Sequence, residues 1–241
     1  MRIEIVKDYD ALSQKAAYLL FSQIMLKPDS VLGLATGSTP IGTYKELISM
    51  YQAGLVRFSD TVTFNLDEYY GLNVNDEQSY HYFMKTNLFN HIDIKEENIH
   101  IPNGKVGDAR AECRRYENRI QAAGGIDLQM LGVGQNGHIG FNEPDDSFEA
   151  LTHLVALDED TIKANARFFN SINEVPTKAL TMGIKTILDS KKILLLASGE
   201  NKAEAVNKMI KGKITPQVPA SALQLHPDVI VITDEAAAAM L

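Results

Sequence analysis

The chain has 241 residues, enough for one α/β domain or at most two small ones, and 45% of them are apolar, which supplies a sizeable core. A formal charge of −8, from 31 acidic against 23 basic residues, argues against a general nucleic-acid binder, yet a few local donors can still hold an anionic small molecule. The single cysteine, Cys113, cannot close an internal disulfide, and no apolar run nears the length of a membrane span; both fit a cytoplasmic protein.

The first residues, MRIEIVKDYD, alternate apolar and charged positions. They predict a strand over Arg2–Val6, not a signal peptide, which needs a continuous apolar stretch of roughly 7–15 residues. A helix is predicted over Ala11–Leu26 and a strand over Val31–Ala35. The run Val31-Leu-Gly-Leu-Ala35 is apolar without alternation, as in a parallel sheet covered on both faces. Thr36-Gly-Ser-Thr-Pro40 then leads to a helix over Ile41–Gln52. Pro40 suits the first helical position and Thr39 the N-cap. Gly37 admits close backbone approach, and the hydroxyls of Thr36, Ser38 and Thr39 join the free amides of a helix start in an anion site. An ordinary capped turn is the competing reading, and the spacing is not that of a P-loop.

A strand over Val62–Leu66 runs into Asp67-Glu-Tyr-Tyr. Paired acids at a strand end suit general-base work on a carbon acid, metal binding, or merely a solvated turn. Against a metal stand the missing HExxH and CxxC spacings and the lack of a carboxylate array. Ala109–Ala123 reads as a polar helix, in which Cys113 has no histidine nearby to activate it.

The predicted strand Ile126–Gly132 opens the most unusual segment, Gly132-Val-Gly-Gln-Asn-Gly-His-Ile-Gly-Phe-Asn-Glu-Pro144. It contains G-x-G-x-x-G after a strand, so a dinucleotide site is the first reading to consider. That fingerprint must run straight into a helix. Here glycine, proline and acids follow, so the segment reads as a loop presenting side chains. His138 can take and return a proton near neutral pH. Glu143 is close enough in sequence to orient the imidazole, and Asn136 can donate or accept a hydrogen bond without charge. A structural histidine is the plainer alternative.

The segment from about 145 to 186 interrupts the strand–helix rhythm and carries Arg167 and Pro176. A helix is predicted over Lys178–Leu188, a strand over Lys192–Ala197, a helix over Lys202–Lys211 and a strand over Val229–Thr233. Lys202 and Arg167 are candidate positive charges for an anion. The alternation implies a single α/β domain over 1–241, with a doubly wound, mostly parallel sheet and helices on both faces. Such sheets bind ligands beyond the carboxyl ends of their strands. The tails after Ala35, Leu66, Leu131 and Ala197 are all glycine-rich or polar, so they are expected to converge on one rim.

Five motifs in order, Leu34–Pro40, Asn65–Tyr69, Gly132–Pro144, Ala164-Asn-Ala-Arg-Phe-Phe169 and Ser198-Gly-Glu-Asn-Lys-Ala203, resemble those of the glucosamine-6-phosphate deaminases and cover most of the chain. The resemblance implies conversion of D-glucosamine 6-phosphate and water to D-fructose 6-phosphate and ammonia, without cofactor or metal. It implies that Asp67 moves the proton between C2 and C1, and that His138 opens the pyranose ring, helped by Glu143 and Asn136. Thr36, Gly37, Ser38, Thr39, Arg167 and Lys202 would hold the phosphate, and residues 145–186 would form a helical lid. Many members carry Asp at position 136, so Asn136 shifts the burden of ring opening toward Glu143. Longer members bind N-acetylglucosamine 6-phosphate at an allosteric site whose Arg and Lys align with His153 and Val155, and this chain stops at Leu241. The expectation is therefore an unactivated monomer or small oligomer. The nearest alternatives are a 6-phosphogluconolactonase-like hydrolase, which needs no enolisation base, and a non-catalytic sugar-phosphate sensor with a helix-turn-helix module, for which the chain leaves no room.

Overall fold

A computed structural model describes residues 1–166, 169 and 171–241. The chain begins with β1 (Arg2–Val6), α1 (Tyr9–Leu26), β2 (Val31–Leu34), α2 (Ile41–Gln52), β3 (Val62–Asn65), β4 (Asp67–Tyr69) and α3 (Tyr80–Asn87). It continues with β5 (Ile99–His100), α4 (Ala109–Ala122), β6 (Leu128–Gly132), β7 (His153–Ala156) and α5 (Glu159–Asn165). It ends with β8 (Lys178–Thr181), α6 (Ile184–Leu188), β9 (Ile193–Ala197), α7 (Ala203–Lys211) and β10 (Val229–Asp234).

Among the described residues, seven strands form a parallel sheet in the order β1-β10-β9-β6-β2-β3-β5. Every residue of β2, β9 and β10 is buried, which explains their unbroken apolar runs. The edge strand β1 is largely exposed and keeps its alternation. Strand order reverses between β2 and β6: β3 and β5 lie on one side, β9 and β10 on the other. A crevice is expected at that reversal, beyond the strands' carboxyl ends. The β2–β6 ladder is short, pairing Leu32 with Leu128 and Gly33 with Gln129. The Gln129 side chain lies across Gly33, where a Cβ would stand 2.0 Å from its Oε1. A larger residue there would have to displace the buried Gln129 side chain.

Two buried tyrosines fix the strand ends that border the crevice. Tyr44 of α2 donates to the Ala35 carbonyl at 2.5 Å, and Tyr116 of α4 donates to the Asn65 carbonyl at 2.7 Å. After Asn65 the chain leaves the main sheet, and Asp67–Tyr69 joins an antiparallel sheet ordered β4-β8-β7. The helix expected over Lys178–Leu188 is instead β8 followed by α6. Ala179 and Leu180 are buried between β4 and β7, and this non-local pairing overrides a local helical pattern. Gly183 makes the turn between them, packed so closely on Ala150 that a Cβ would sit 2.4 Å from its carbonyl carbon. The segment 145–186 thus carries β7, α5, β8 and part of α6. Cys113 is buried on α4, where burial and then the Glu112 charge push its thiol up to about 11.

Alternation along β4 sends its two acids to opposite faces. Glu68 is 1% exposed and anchors the start of α3. Its Oε1 accepts from the Tyr69 and Tyr80 amides at 2.8 and 2.9 Å, and its Oε2 from the His81 amide and Nδ1 at 3.1 and 2.9 Å. A carboxylate suits this place because it only accepts, next to the positive end of a helix. Glu68→Gln turns an NH₂ group toward two donors and is expected to cost about 2–4 kcal/mol, lowering Tm by roughly 5–15 °C in thermal unfolding followed by circular dichroism.

Candidate active site

The crevice at the strand-order reversal is a cleft of about 830 Å³. Four strand tails meet in it. The β2 tail contributes Thr36, Gly37, Ser38 and Thr39, the β3–β4 junction Leu66 and Asp67, the β6 tail Gly132–Asn136 and His138, and the β9 tail Ser198, Asn201 and Lys202. Of the residues singled out in the sequence, Glu143 stands behind His138 and borders a neighbouring hollow. Arg167 lies outside the described residues.

The β2 tail does not end as its sequence suggests. Helix α2 starts at Ile41 with Pro40 as its N-cap, so Thr39 is not the cap and Pro40 is not the first helical residue. Proline has no side-chain acceptor, and the role passes to Tyr9 of α1, whose hydroxyl accepts from the Gly42 amide at 2.8 Å. The same hydroxyl is 3.1 Å from the Ser38 and Thr39 carbonyls and can donate to one of them. The loop is therefore held from outside, with its hydroxyls lining the cleft. Gly37 has φ +88°, a left-handed conformation that disfavours other residues. The β9 tail is held in the same manner. Asp234, at the end of β10, accepts from the Ser198 hydroxyl at 2.5 Å and from the Gly199 amide at 3.0 Å, and secures its own turn through the Ala237 amide at 2.7 Å.

Asp67 is 6% exposed and, among the described residues, has no hydrogen-bond donor on its carboxyl group. Burial, and then the charge of neighbouring Glu68, push it up to about 8. A carboxyl raised that far is, once ionised, an effective base near neutral pH. Gly140 lets the β6 tail close over it: a Cβ there would be 3.5 Å from Asp67 Oδ2 and 2.8 Å from Thr181 Oγ1. Tyr80 lines the same wall, its ring stacked on Phe141.

On the opposite tail, His138 Nδ1 lies 3.1 Å from Glu143 Oε2. The carboxylate accepts, so Nδ1 carries the hydrogen and Nε2 is left as the acceptor of the neutral ring. Asn136 fixes this pair twice, donating from Nδ2 to Glu143 Oε2 at 2.9 Å and accepting from the His138 amide at 3.1 Å. Thr161 of α5 donates to the other oxygen, Oε1. Burial pushes Glu143 up, but the hydrogen bonds and charge of His138, with those from Thr161 and Asn136, outweigh it and hold its carboxyl below the usual range.

The glycines of the β6 tail have separate tasks. The His138 ring packs on Gly134, where a Cβ would lie 2.3–2.5 Å from three ring atoms. Gly137 turns at φ +89° and binds the Ala220 amide through its carbonyl. No helix follows them among the described residues until α5, so the helix a dinucleotide fingerprint requires is missing. Gly134→Ala must move the imidazole. It is expected to lower kcat about 100-fold with little change in Tm, as steady-state kinetics and thermal unfolding would report.

Thr161, Tyr80, Tyr9 and Asp234 escaped the sequence reading. Asp234 was within reach, since it is the polar residue directly after the predicted strand Val229–Thr233 and the same strand-tail rule finds it. Thr161, Tyr80 and Tyr9 carry no local signal, because their roles come from distant partners. Among the described residues, no helix is long and apolar enough to cross a membrane, and no cluster of three or more His, Cys, Asp or Glu is placed to hold a metal ion.

The sequence profile of the glucosamine-6-phosphate isomerases/6-phosphogluconolactonase family matches residues 8–231. A glucosamine-6-phosphate deaminase of Clostridium acetobutylicum is 62% identical over 241 residues, covering the whole of both chains. One of Clostridioides difficile is 61% identical, covering all of this chain and 97% of its own. Among solved structures, a monomeric glucosamine-6-phosphate deaminase matches with TM-score 0.98 at 53% identity over the whole of both chains. A 6-phosphogluconolactonase of Thermotoga maritima matches with TM-score 0.77 at 20% identity, covering 97% of this chain and 98% of its own, and so shares the fold.

Proposed function

The chain belongs to the glucosamine-6-phosphate isomerase/6-phosphogluconolactonase family, and on that footing we propose that it converts D-glucosamine 6-phosphate and water to D-fructose 6-phosphate and ammonia. The reaction couples aldose–ketose isomerisation to deamination. One observation supports the reading: a single cleft is lined from different strand tails by the buried carboxyl of Asp67 and the imidazole of His138, which Glu143 braces from behind, two groups suited to moving protons.

The chemistry needs both. The closed sugar offers no acidic carbon proton, so the ring must open first. His138 Nε2 takes the proton from the anomeric hydroxyl and returns one to the ring oxygen, while Glu143 stabilises the charged imidazole and Asn136 holds the pair in register. The open-chain aldehyde acidifies C2. Asp67 then removes the C2 proton while the aldehyde oxygen takes one from solvent, giving an enolamine; the protonated Asp67 returns a proton to C1, giving the ketose imine, which water cleaves to ketone and ammonia. Each station is expected to contribute roughly 10²- to 10⁴-fold. The phosphate is assigned to Thr36, Gly37, Ser38, Thr39 and Lys202, with Arg167 as a further ligand. Residues 145–186 would close over it as a lid and exclude water. No metal or cofactor has a step in this scheme.

A lactonase shares the fold but needs no enolisation base, and the deaminase relatives are about three times as similar in sequence as the lactonase structure. The substrate pair decides between them. Purified protein should release ammonia from glucosamine 6-phosphate and leave 6-phosphogluconolactone at its spontaneous rate of hydrolysis. Efficient hydrolysis of the lactone without ammonia release would overturn the reading. The monomeric relative supports a monomer or small homo-oligomer, and the single cysteine and the proposed reaction suit a cytoplasmic enzyme of amino-sugar catabolism.

A further inference from the structure

Glu143 has two carboxylate oxygens, and its own loop uses one of them. Oε2 accepts from His138 Nδ1 and Asn136 Nδ2. Oε1 accepts from the Thr161 hydroxyl, 18 residues further along the chain and on a different element, α5. Thr161 is 6% exposed and lines the cleft. We propose that Thr161 is a positioning residue, whose hydroxyl fixes the Glu143 carboxylate with Oε2 toward His138 and makes the His138–Glu143 pair responsive to where α5 sits. The proposal rests on the ring-opening role given to that pair.

A carboxylate turns readily about its terminal bond, and its plane is set by what each oxygen binds. The loop alone holds one oxygen and leaves the plane free to swing. A donor on the second oxygen, brought by a separate element, removes that freedom. Threonine suits the task, because β-branching on a helix restricts its side-chain rotation. Any displacement of α5 relative to the β6 tail breaks this bond and leaves those to His138 and Asn136 intact. Among the described residues, α5 carries Glu159 and Lys163, paired with each other. Across the cleft stand Asp67 and Lys202, and the neighbouring hollow holds Asp145, Glu149, His153 and Asp158. Of the charged groups, His138 is the one in contact with the Glu143 carboxylate and lowers it.

The sign of the effect follows. The Thr161 hydrogen bond is one of the interactions that lower the Glu143 carboxyl, so its loss raises it. The acid limb of the pH–rate profile, where Glu143 gains a proton, then moves to higher pH. The experiment compares the full chain with Thr161→Val and Thr161→Ser by steady-state kinetics across pH and by carbon NMR titration of the Glu143 carboxyl. Thr161→Val is expected to lower kcat about 10-fold with KM within about 2-fold, and to raise both the acid limb and the Glu143 titration midpoint. Thr161→Ser keeps the hydroxyl and should stay within about 3-fold of wild type. Should Thr161→Val not fold, Thr161→Ala, which only removes atoms, replaces it. A wild-type acid limb and Glu143 midpoint in the folded variant would overturn the proposal, as would equal impairment in Thr161→Ser. The titration needs no turnover. If wild-type protein releases no ammonia, the reaction assignment falls, while the NMR arm still decides whether Thr161 sets Glu143.

Discussion

Asp67→Asn is expected to abolish ammonia release and to make the protein more stable. The loss of turnover should be 10²- to 10⁴-fold, because an amide cannot accept the C2 proton. The gain in stability comes from the same burial that makes the acid a strong base. Its folded value of about 8 lies far above the unfolded 3.8. The stability associated with the neutral carboxyl is fully present below about pH 3.8 and is lost progressively as pH rises toward 8. Asparagine does not titrate and escapes that loss. The Tm of the variant should match wild type near pH 4 and exceed it by about 5 °C or more at pH 8.5. Thermal unfolding at the two pH values checks this. An advantage over wild type no larger at pH 8.5 than at pH 4 would mean that the carboxyl is not desolvated. The adjacent acid gives the opposite sign, since Glu68→Gln is expected to destabilise.

The second large effect belongs to His138→Gln. Glutamine retains a polar group beside Glu143 but cannot shuttle a proton from the anomeric hydroxyl to the ring oxygen. Turnover of glucosamine 6-phosphate should fall 10²- to 10³-fold. The defect should be confined to ring opening. An open-chain analogue, the amino-alditol phosphate, should bind the variant within about 2-fold of wild type, by calorimetry, because its ring is already absent. Unchanged turnover, or an equal loss of affinity for the open-chain analogue, would remove His138 from this role. The pH dependence of the intact pair follows from Glu143. Its folded value is depressed, so the stability it contributes is present above the unfolded value of 4.5 and is lost as pH falls through the folded one.

Much of this site could be read from the chain alone. The parallel sheet announced itself because strands buried on both faces are unbroken apolar runs, such as Ile193–Ala197. Each run ends where polar residues begin, and in this architecture those ends meet. What stayed hidden depends on partners far along the chain. The strands β4, β7 and β8 are three or four residues long and exist through mutual pairing, so Lys178–Leu188 read as a helix. Asp67 and Glu68 look alike in sequence. Strand alternation sends one to the cleft and the other to the start of α3, where four donors hold it. The capping of α2 was misplaced by local reasoning, because Tyr9 supplies it from α1. Thr161 is invisible for the same reason. Its importance is a single contact with Glu143, set by how α5 packs against the β6 tail.

The most direct test is the simultaneous measurement of ammonia and fructose 6-phosphate released from glucosamine 6-phosphate by the purified protein, with Asp67→Asn in parallel. Equal amounts of the two products from wild type, and almost none from a variant that still binds the sugar phosphate, is the predicted result. No release from folded wild-type protein that binds the sugar phosphate would contradict the assignment and leave a sugar-phosphate sensor in its place.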